Sequence, residues 1–190
     1  DDLTYLVDQS LCGEVHFDAP MVEYGAPKPP SLFSQLPKEL FVKTPDGLRL
    51  RRYPNCKRYI HLDLAESGEV GIAMVHKEIS KDGHAMYIAD FYGKVTSINK
   101  ISHTMIRDFV VDISKIGNVM LEKITADQFQ SVGMLQHFKE ENTSPIVEKM
   151  AMGTKTEPFN LVSSLISENC INCGPARELK DQLRGIYYFD

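Results

Sequence analysis

The sequence predicts a mixed α/β fold, in which about five strands form one sheet with helices on its faces. Two observations predict this class. From residue 58 onward, three apolar, β-rich runs follow one another with short turns between them, which indicates an antiparallel meander. After residue 100, runs with helical spacing alternate with further strand-like runs. A sheet that starts with antiparallel strands and continues with α/β alternation is mixed.

The first part of the chain has a different composition. Residues 1–57 contain most of the ten prolines, and proline disfavours long helices and central strands. We therefore expect residues 1–57 to form an irregular lead-in, with one short strand at 48–53, and residues 58–190 to form the main domain. Because the chain begins with Asp1 rather than Met, we expect it to be a piece of a longer protein.

The elements of the main domain follow in the order β-β-β-α-β-α-β-α-α. The predicted strands cover residues 59–64, 71–75, 85–92, 119–126 and 145–152. The predicted helices cover residues 101–116, 128–141, 159–166 and 176–183, and an apolar run follows at 186–189. Ser102 or Thr104 could cap the first helix, and Gly117 ends it. The first strand should lie centrally, because it is apolar on both sides of Asp63.

Bulk composition restricts the function. The net charge is −5, so binding nucleic acid would require a local basic patch or bound cations. Neither an apolar run of about 18 residues nor a signal peptide is present, so we expect an intracellular protein without a membrane partner. The pair Cys170 and Cys173 has no second pair to complete a zinc ribbon, which favours structural cysteines over metal or redox use.

Two aspartates carry the predicted chemistry. Asp63 lies within the first strand, and Asp127 follows the fourth, where ligand sites of open α/β sheets occur. If these strands are neighbours, the carboxylates converge, and a divalent cation would relieve their repulsion. Oxygen ligands of this kind suit Mg²⁺ or Mn²⁺, and two such ions about 3.5–4 Å apart can hydrolyse a phosphodiester. The alternative is two unrelated surface acids, with Asp127 as the N-cap of the next helix.

Other candidate residues have two interpretations each. His61 shares the face of Asp63 by strand alternation, and such a histidine is more often packed than catalytic. The densest basic cluster lies before the first strand and either contacts phosphates or is an ordinary solvated face. Its members are Arg49, Arg51, Arg52, Lys57 and Arg58.

The runs HLDLAESGEVGIAMVHK, IRDFVVDISKIG and KITADQFQS resemble the nuclease domain of the large terminase subunit of tailed bacteriophages. The resemblance extends over about residues 58–183. It implies an RNase H-like fold and a metal-dependent endonuclease that cleaves double-stranded concatemeric DNA with two Mg²⁺ or Mn²⁺ ions. By position, Asp63 matches the first catalytic acid of the family and Asp127 the second.

The sequence departs from the family at the third acid. The family's Asp-His-Pro motif is absent, so we expect this metal ligand either beyond the end of the chain or, alternatively, at Asp190. Glu69 approximately matches an acid in the first turn, whereas the run 151–156 lacks the family's aspartate.

The resemblance also implies partners and a location. The partners would be double-stranded DNA, the terminase ATPase domain, the small terminase subunit and the portal, in the host cell cytoplasm. No phosphate-binding loop of the Gly-x-x-x-x-Gly-Lys-Ser/Thr type occurs, so the ATPase itself is not expected in this chain. Two alternatives stay open: another RNase H-like nuclease such as a junction resolvase, or a DNA-binding or docking module that does not cleave.

Overall fold

A seven-stranded mixed sheet forms the centre of the fold. The computed structural model describes residues 14–19, 31–64, 69–96, 101–127, 131–150 and 157–174. The strand order is β1-β6-β5-β4-β7-β8, and β9 pairs with β6 beside this path. The strands are β1 (Glu14–Asp18), β4 (Arg58–Leu64), β5 (Glu69–Ile79), β6 (Ala85–Thr96), β7 (Leu121–Ala126), β8 (Ile146–Lys149) and β9 (Ile171–Asn172).

The connections explain why the sheet is mixed. Strands β4, β5 and β6 are consecutive antiparallel neighbours, whereas β7 pairs parallel with β4 and β8 pairs parallel with β7. Helix α1 (His103–Lys115) joins β6 to β7, and α2 (Val132–Glu140) joins β7 to β8. A third helix, α3 (Glu157–Ser167), follows β8. This arrangement confirms the mixed α/β class and the central position of β4, and it is consistent with an RNase H-like fold.

The expectation of an irregular lead-in is wrong for the described residues before Arg58. Strand β1 pairs parallel with β6, and strands β2 (Phe41–Thr44) and β3 (Gly47–Leu50) form a separate hairpin. Buried apolar side chains of this part join the main core, among them Phe17, Leu32, Leu36 and Leu40. The described prolines before Arg58, which are Pro37, Pro45 and Pro54, lie between the elements rather than inside strands, so they mark turns and not a lack of structure.

Alternation along β4 divides the sheet into two faces. Ile60, Leu62 and Leu64 are buried, and they join a core that includes the buried residues of α1. Those residues of α1 are Ile106, Phe109, Val110 and Ile113, which recur at the helical spacing of three and four. Phe17 from β1 packs edge-on against Phe109, with ring centroids 5.2 Å apart. The intervening residues of β4 point to the other, more open face.

Several predicted element boundaries shift. Strand β6 extends to Thr96, beyond the predicted end at residue 92, because β1 pairs with its last five residues. Strand β8 is shorter than predicted, and β7 begins two residues late, at Leu121. Ser102 is the N-cap of α1, although its side chain makes no capping hydrogen bond. The predicted start of the second helix at 128–130, the short helix at 176–183 and the run at 186–189 lie outside the described residues.

A buried ionic network holds the start of β4. The Arg58 side chain is fully buried, and its guanidinium lies 3.3 Å from both carboxylate oxygens of Asp90 on β6. Its two terminal nitrogens also donate to backbone carbonyls of Arg52, Tyr53 and Cys56, at 2.5–2.8 Å. The expectation that Arg58 belongs to a surface cluster is therefore wrong. Alternation explains the difference, since Arg58 shares the inward-facing set of β4 with Ile60.

His76 on β5 extends the network toward the surface. Its Nδ1 lies 2.9 Å from Asp90 Oδ2, and its Nε2 lies 2.8 Å from Glu78 Oε1. Arg52 in turn donates to both carboxylate oxygens of Glu78. Every charged group of this network therefore has an oppositely charged or hydrogen-bonding partner, which is the condition for tolerating charge inside a protein.

No helix in the described ranges is both long and apolar enough to cross a membrane.

We predict that Asp90→Ala destabilises the fold strongly, because it leaves the buried Arg58 guanidinium without its carboxylate. Loss of one partner of a buried ion pair typically costs about 3–5 kcal/mol of unfolding free energy. Urea unfolding monitored by circular dichroism measures this change. Lys57→Ala is the matched control, because Lys57 pairs with Glu122 on the exposed surface and its loss should barely move the midpoint. A similar midpoint for both variants would contradict the structural role of the network.

Candidate functional site

The parallel pairing of β4 with β7 brings the two predicted aspartates together. In the register of these strands, His61 is opposite Thr125 and Leu62 is opposite Ala126. Asp63 and Asp127 follow in the same order at the carboxyl ends of the two strands, at the edge where ligand sites of open α/β sheets lie. The condition on which convergence depended, that the two strands are neighbours, is therefore met.

The pKa of Asp63 depends on its burial and on the neighbouring carboxyl group of Asp127. Burial raises the pKa of Asp63 above its ordinary value of 3.8, and the negative charge of Asp127 raises it further. A hydrogen bond between the two carboxyl side chains also raises this pKa, whereas the nearby His61 lowers it. Two neighbouring acids that repel each other when both are ionised form a site that favours a proton or a cation.

Asp127 presents an unused acceptor to this site. Its Oδ1 is buried and has no hydrogen-bond partner among the described residues. A buried carboxylate oxygen without a donor is costly, and a cation would satisfy it. The alternative in which Asp127 caps the next helix stays a prediction, because residues 128–130, between Asp127 and the described start of α2, lie outside the described residues. The donor set, two carboxylates at a strand edge, fits a hard divalent cation such as Mg²⁺ or Mn²⁺.

A side-chain hydrogen bond of His61 links β4 to β7 two residues before the acids. Its Nδ1 lies 2.8 Å from the hydroxyl oxygen of Thr125, and that hydroxyl also donates to the backbone carbonyl of Ile60 at 3.3 Å. Burial lowers the pKa of His61, and the charges of Asp127 and Asp63 oppose this effect. Thr125 was not predicted from the sequence. The signal that could have identified it is its position two residues before Asp127 on the same strand.

The other predicted acids are not part of the pair in the described structure. Glu69 is exposed and begins β5, on the same face as Gly71. Within the part of the chain that is described, no three His, Cys, Asp or Glu side chains form a group that could hold a metal ion. Asp190 and the run 151–156 lie outside the described residues, so the assignment of a third ligand stays a prediction.

The predicted basic cluster lies at the opposite end of β4 from Asp63. Arg51 donates to the carbonyl of Glu39, Arg52 is paired with Glu78, and Arg58 is buried. Lys57 lies 2.9 Å from Glu122, whose hydrogen bond and negative charge raise the pKa of Lys57. The contacts of Arg51, Arg52 and Lys57 with DNA stay a prediction, whereas the buried Arg58 is not available for one.

The cysteines of the described part carry free thiols. Cys170 and Cys173 flank the short strand β9, and Cys56 lies in the turn before β4. Burial raises the pKa of the Cys173 thiol, which makes it a poor nucleophile.

Comparisons with known proteins give one structural likeness. No protein-family model matches the sequence, and no curated protein matches it. Among solved structures, the chain is similar to the crystal structure of the bacteriophage HK97 large terminase, with a TM-score of 0.49 and 14% sequence identity. The likeness covers 72% of this chain and 31% of the HK97 chain, so this chain spans about a third of that protein's length.

We predict that Asp63→Asn raises the melting temperature near pH 7 in the presence of EDTA. The folded-state pKa of Asp63 is raised, so the ionised form is disfavoured and folding stability falls as pH rises above 3.8. The gain from Asp63→Asn should therefore shrink as pH approaches 3.8 and vanish below it. Thermal unfolding from pH 3.5 to 7.5 measures it, with the exposed Asp82→Asn as the control. A gain that does not change with pH would contradict the raised pKa of Asp63.

Proposed function

We propose that this chain is a metal-dependent endonuclease domain of a phage large terminase, which cleaves double-stranded DNA by phosphodiester hydrolysis. The observation that carries the proposal is the pair Asp63 and Asp127, side by side at the carboxyl ends of two parallel strands. The motifs around these two residues are the ones that resemble the terminase nuclease, so geometry and sequence support the same residues.

Asp63 and Asp127 would hold the divalent ions, and a separate observation supports each of them as a ligand. Burial and the charge of Asp127 raise the pKa of Asp63, and a cation would relieve the repulsion; Asp127 Oδ1 is a buried acceptor without a donor among the described residues. When bound, Mg²⁺ or Mn²⁺ supplies charge stabilisation to the phosphodiester and a water of lowered pKa as nucleophile. A second ion requires a further carboxylate, for which Asp190, Glu69 or an acid beyond this sequence are the candidates.

The remaining residues of the face would hold the pair in place. The contact of His61 with Thr125 links β4 to β7 two residues before the acids, which limits how far the two strand ends can separate. The ATPase domain, the small terminase subunit and the portal belong to the same proposal as partners.

We predict that Asp127→Asn abolishes DNA cleavage while the fold is retained. Asparagine keeps the size of the side chain but loses the charge that would hold a cation. The rate should fall by more than about 100-fold, beyond the 10–100-fold typical of a residue that only orients a metal ligand. Nicking of supercoiled plasmid in Mn²⁺ measures the rate, and circular dichroism monitors the fold.

The matched control is Asp82→Asn, which makes the same chemical change in the exposed turn after β5 and should leave cleavage unchanged. A linear duplex and a four-way junction assayed in parallel distinguish a terminase-type nuclease from a junction resolvase. Unchanged nicking by well-folded Asp127→Asn would overturn the proposed site, and metal-dependent DNA binding without cleavage by the wild type would favour the docking module.

A further inference from the structure

Gly71 lies directly opposite Asp63 on the neighbouring strand. The two residues are register partners in the antiparallel pair of β4 and β5. A Cβ atom placed on Gly71 would lie 3.3 Å from the Cβ of Asp63, which is closer than ordinary van der Waals contact. Among the described residues, no other heavy atom comes within 4 Å of that position, apart from its chain neighbours.

The backbone does not require glycine at this position. Gly47 and Gly83 have positive φ angles of 116° and 82°, where other residues are strained, but Gly71 is not in this region. Glycine in the interior of a strand also weakens the strand, because it loses more conformational freedom and buries no side chain. The glycine at 71 therefore has a local cost, and among the described residues the close approach of the Asp63 Cβ is the feature that accounts for it.

The other residues on this face of β5 carry side chains, unlike Gly71. The next residue on this face, Ala73, is opposite His61, and Val75 is opposite Tyr59, so both of these pairs accommodate a side chain on β5. Among the residues of β5 on this face that are opposite Tyr59, His61 and Asp63, only Gly71 has no side chain. Asp63 therefore faces a residue without a side chain on β5, and on the side of β7 its neighbour is Asp127.

We propose that Gly71 is a positioning residue for Asp63, which leaves the carboxylate free to lie toward Asp127 in the geometry that a divalent cation requires. This inference rests on the proposed function, because it assigns Gly71 to the same metal site. A methyl group at 71 displaces the Asp63 side chain by a few tenths of an ångström. Because a productive site must be held to within about 0.5 Å, a shift of this size uses up most of the tolerance and weakens metal binding without abolishing it.

The two candidate ions should respond differently to this displacement. Mg²⁺ demands near-ideal octahedral geometry at short ligand distances and dehydrates reluctantly, so it tolerates a displaced ligand poorly. A purely structural effect of the substitution would lower the melting temperature without changing the relative affinity for the two ions. The ratio of Mg²⁺ to Mn²⁺ affinity is therefore the measurement that separates positioning from general destabilisation.

The test compares Gly71→Ala with Gly133→Ala. Gly133 lies in α2 with nothing within 4 Å of the added Cβ, so it controls for the chemical change itself. Mn²⁺ binding is followed by the electron paramagnetic resonance signal of free Mn²⁺, and Mg²⁺ binding by competition. We expect Gly71→Ala to weaken Mn²⁺ binding by roughly tenfold and Mg²⁺ binding by more, and Gly133→Ala to change neither. Equal loss for both ions, or no loss, would overturn the proposal.

A thermodynamic cycle in EDTA tests the same contact without metal or activity. Gly71→Ala should lower the melting temperature in the wild-type background but raise it in Asp63→Gly, where the opposing Cβ is removed. If Gly71→Ala fails to fold, recovery of folding in the double variant supports the contact, and failure of both overturns it. If wild-type protein binds no Mn²⁺, the proposed function fails, whereas the cycle still decides whether Gly71 positions Asp63.

Discussion

Strand β4 is hydrogen-bonded on both sides, and this constraint determines where every one of its side chains can lie. With β5 on one side and β7 on the other, the strand cannot slip by one residue without moving its buried set to the open face. Ile60, Leu62 and Leu64 fix that register by burial in the core. Asp63 is thereby held on the open face, and the parallel neighbour β7 ends beside it with Asp127.

The two ends of β4 differ in whether their charged groups are paired. At its start, the buried Arg58 is satisfied by Asp90 and three backbone carbonyls. At its end, two acids lie together, and Asp127 Oδ1 has no partner among the described residues. Proteins break local rules mainly at functional sites. The difference between the ends thus supports a structural role for the first and a functional role for the second.

Particular residues show how far the sequence could be interpreted alone. The apolar residues on both sides of Asp63 predicted a central strand, and local periodicity predicted that Asp127 follows a strand. The pairing of these two strands was only a condition of the interpretation, because pairing joins distant parts of the chain. Arg58 was misplaced because a buried guanidinium depends on Asp90, 32 residues away, which no local pattern reveals. Strand β1 was missed because a short strand in a proline-rich stretch is stabilised by pairing with β6, a contact between distant parts of the chain.

The distribution of charge also bears on how an acidic chain could act on DNA. Arg52 and Lys57 are paired with carboxylates, Arg58 is buried, and all three lie at the end of β4 away from Asp63. With a net charge of −5, the chain has no general attraction for phosphates, and the acidic pair would repel them locally. On the proposed function, divalent ions at Asp63 and Asp127 reverse that local repulsion. The cations would then contribute to holding the DNA as well as to cleaving it, so affinity and activity would share one dependence on metal concentration.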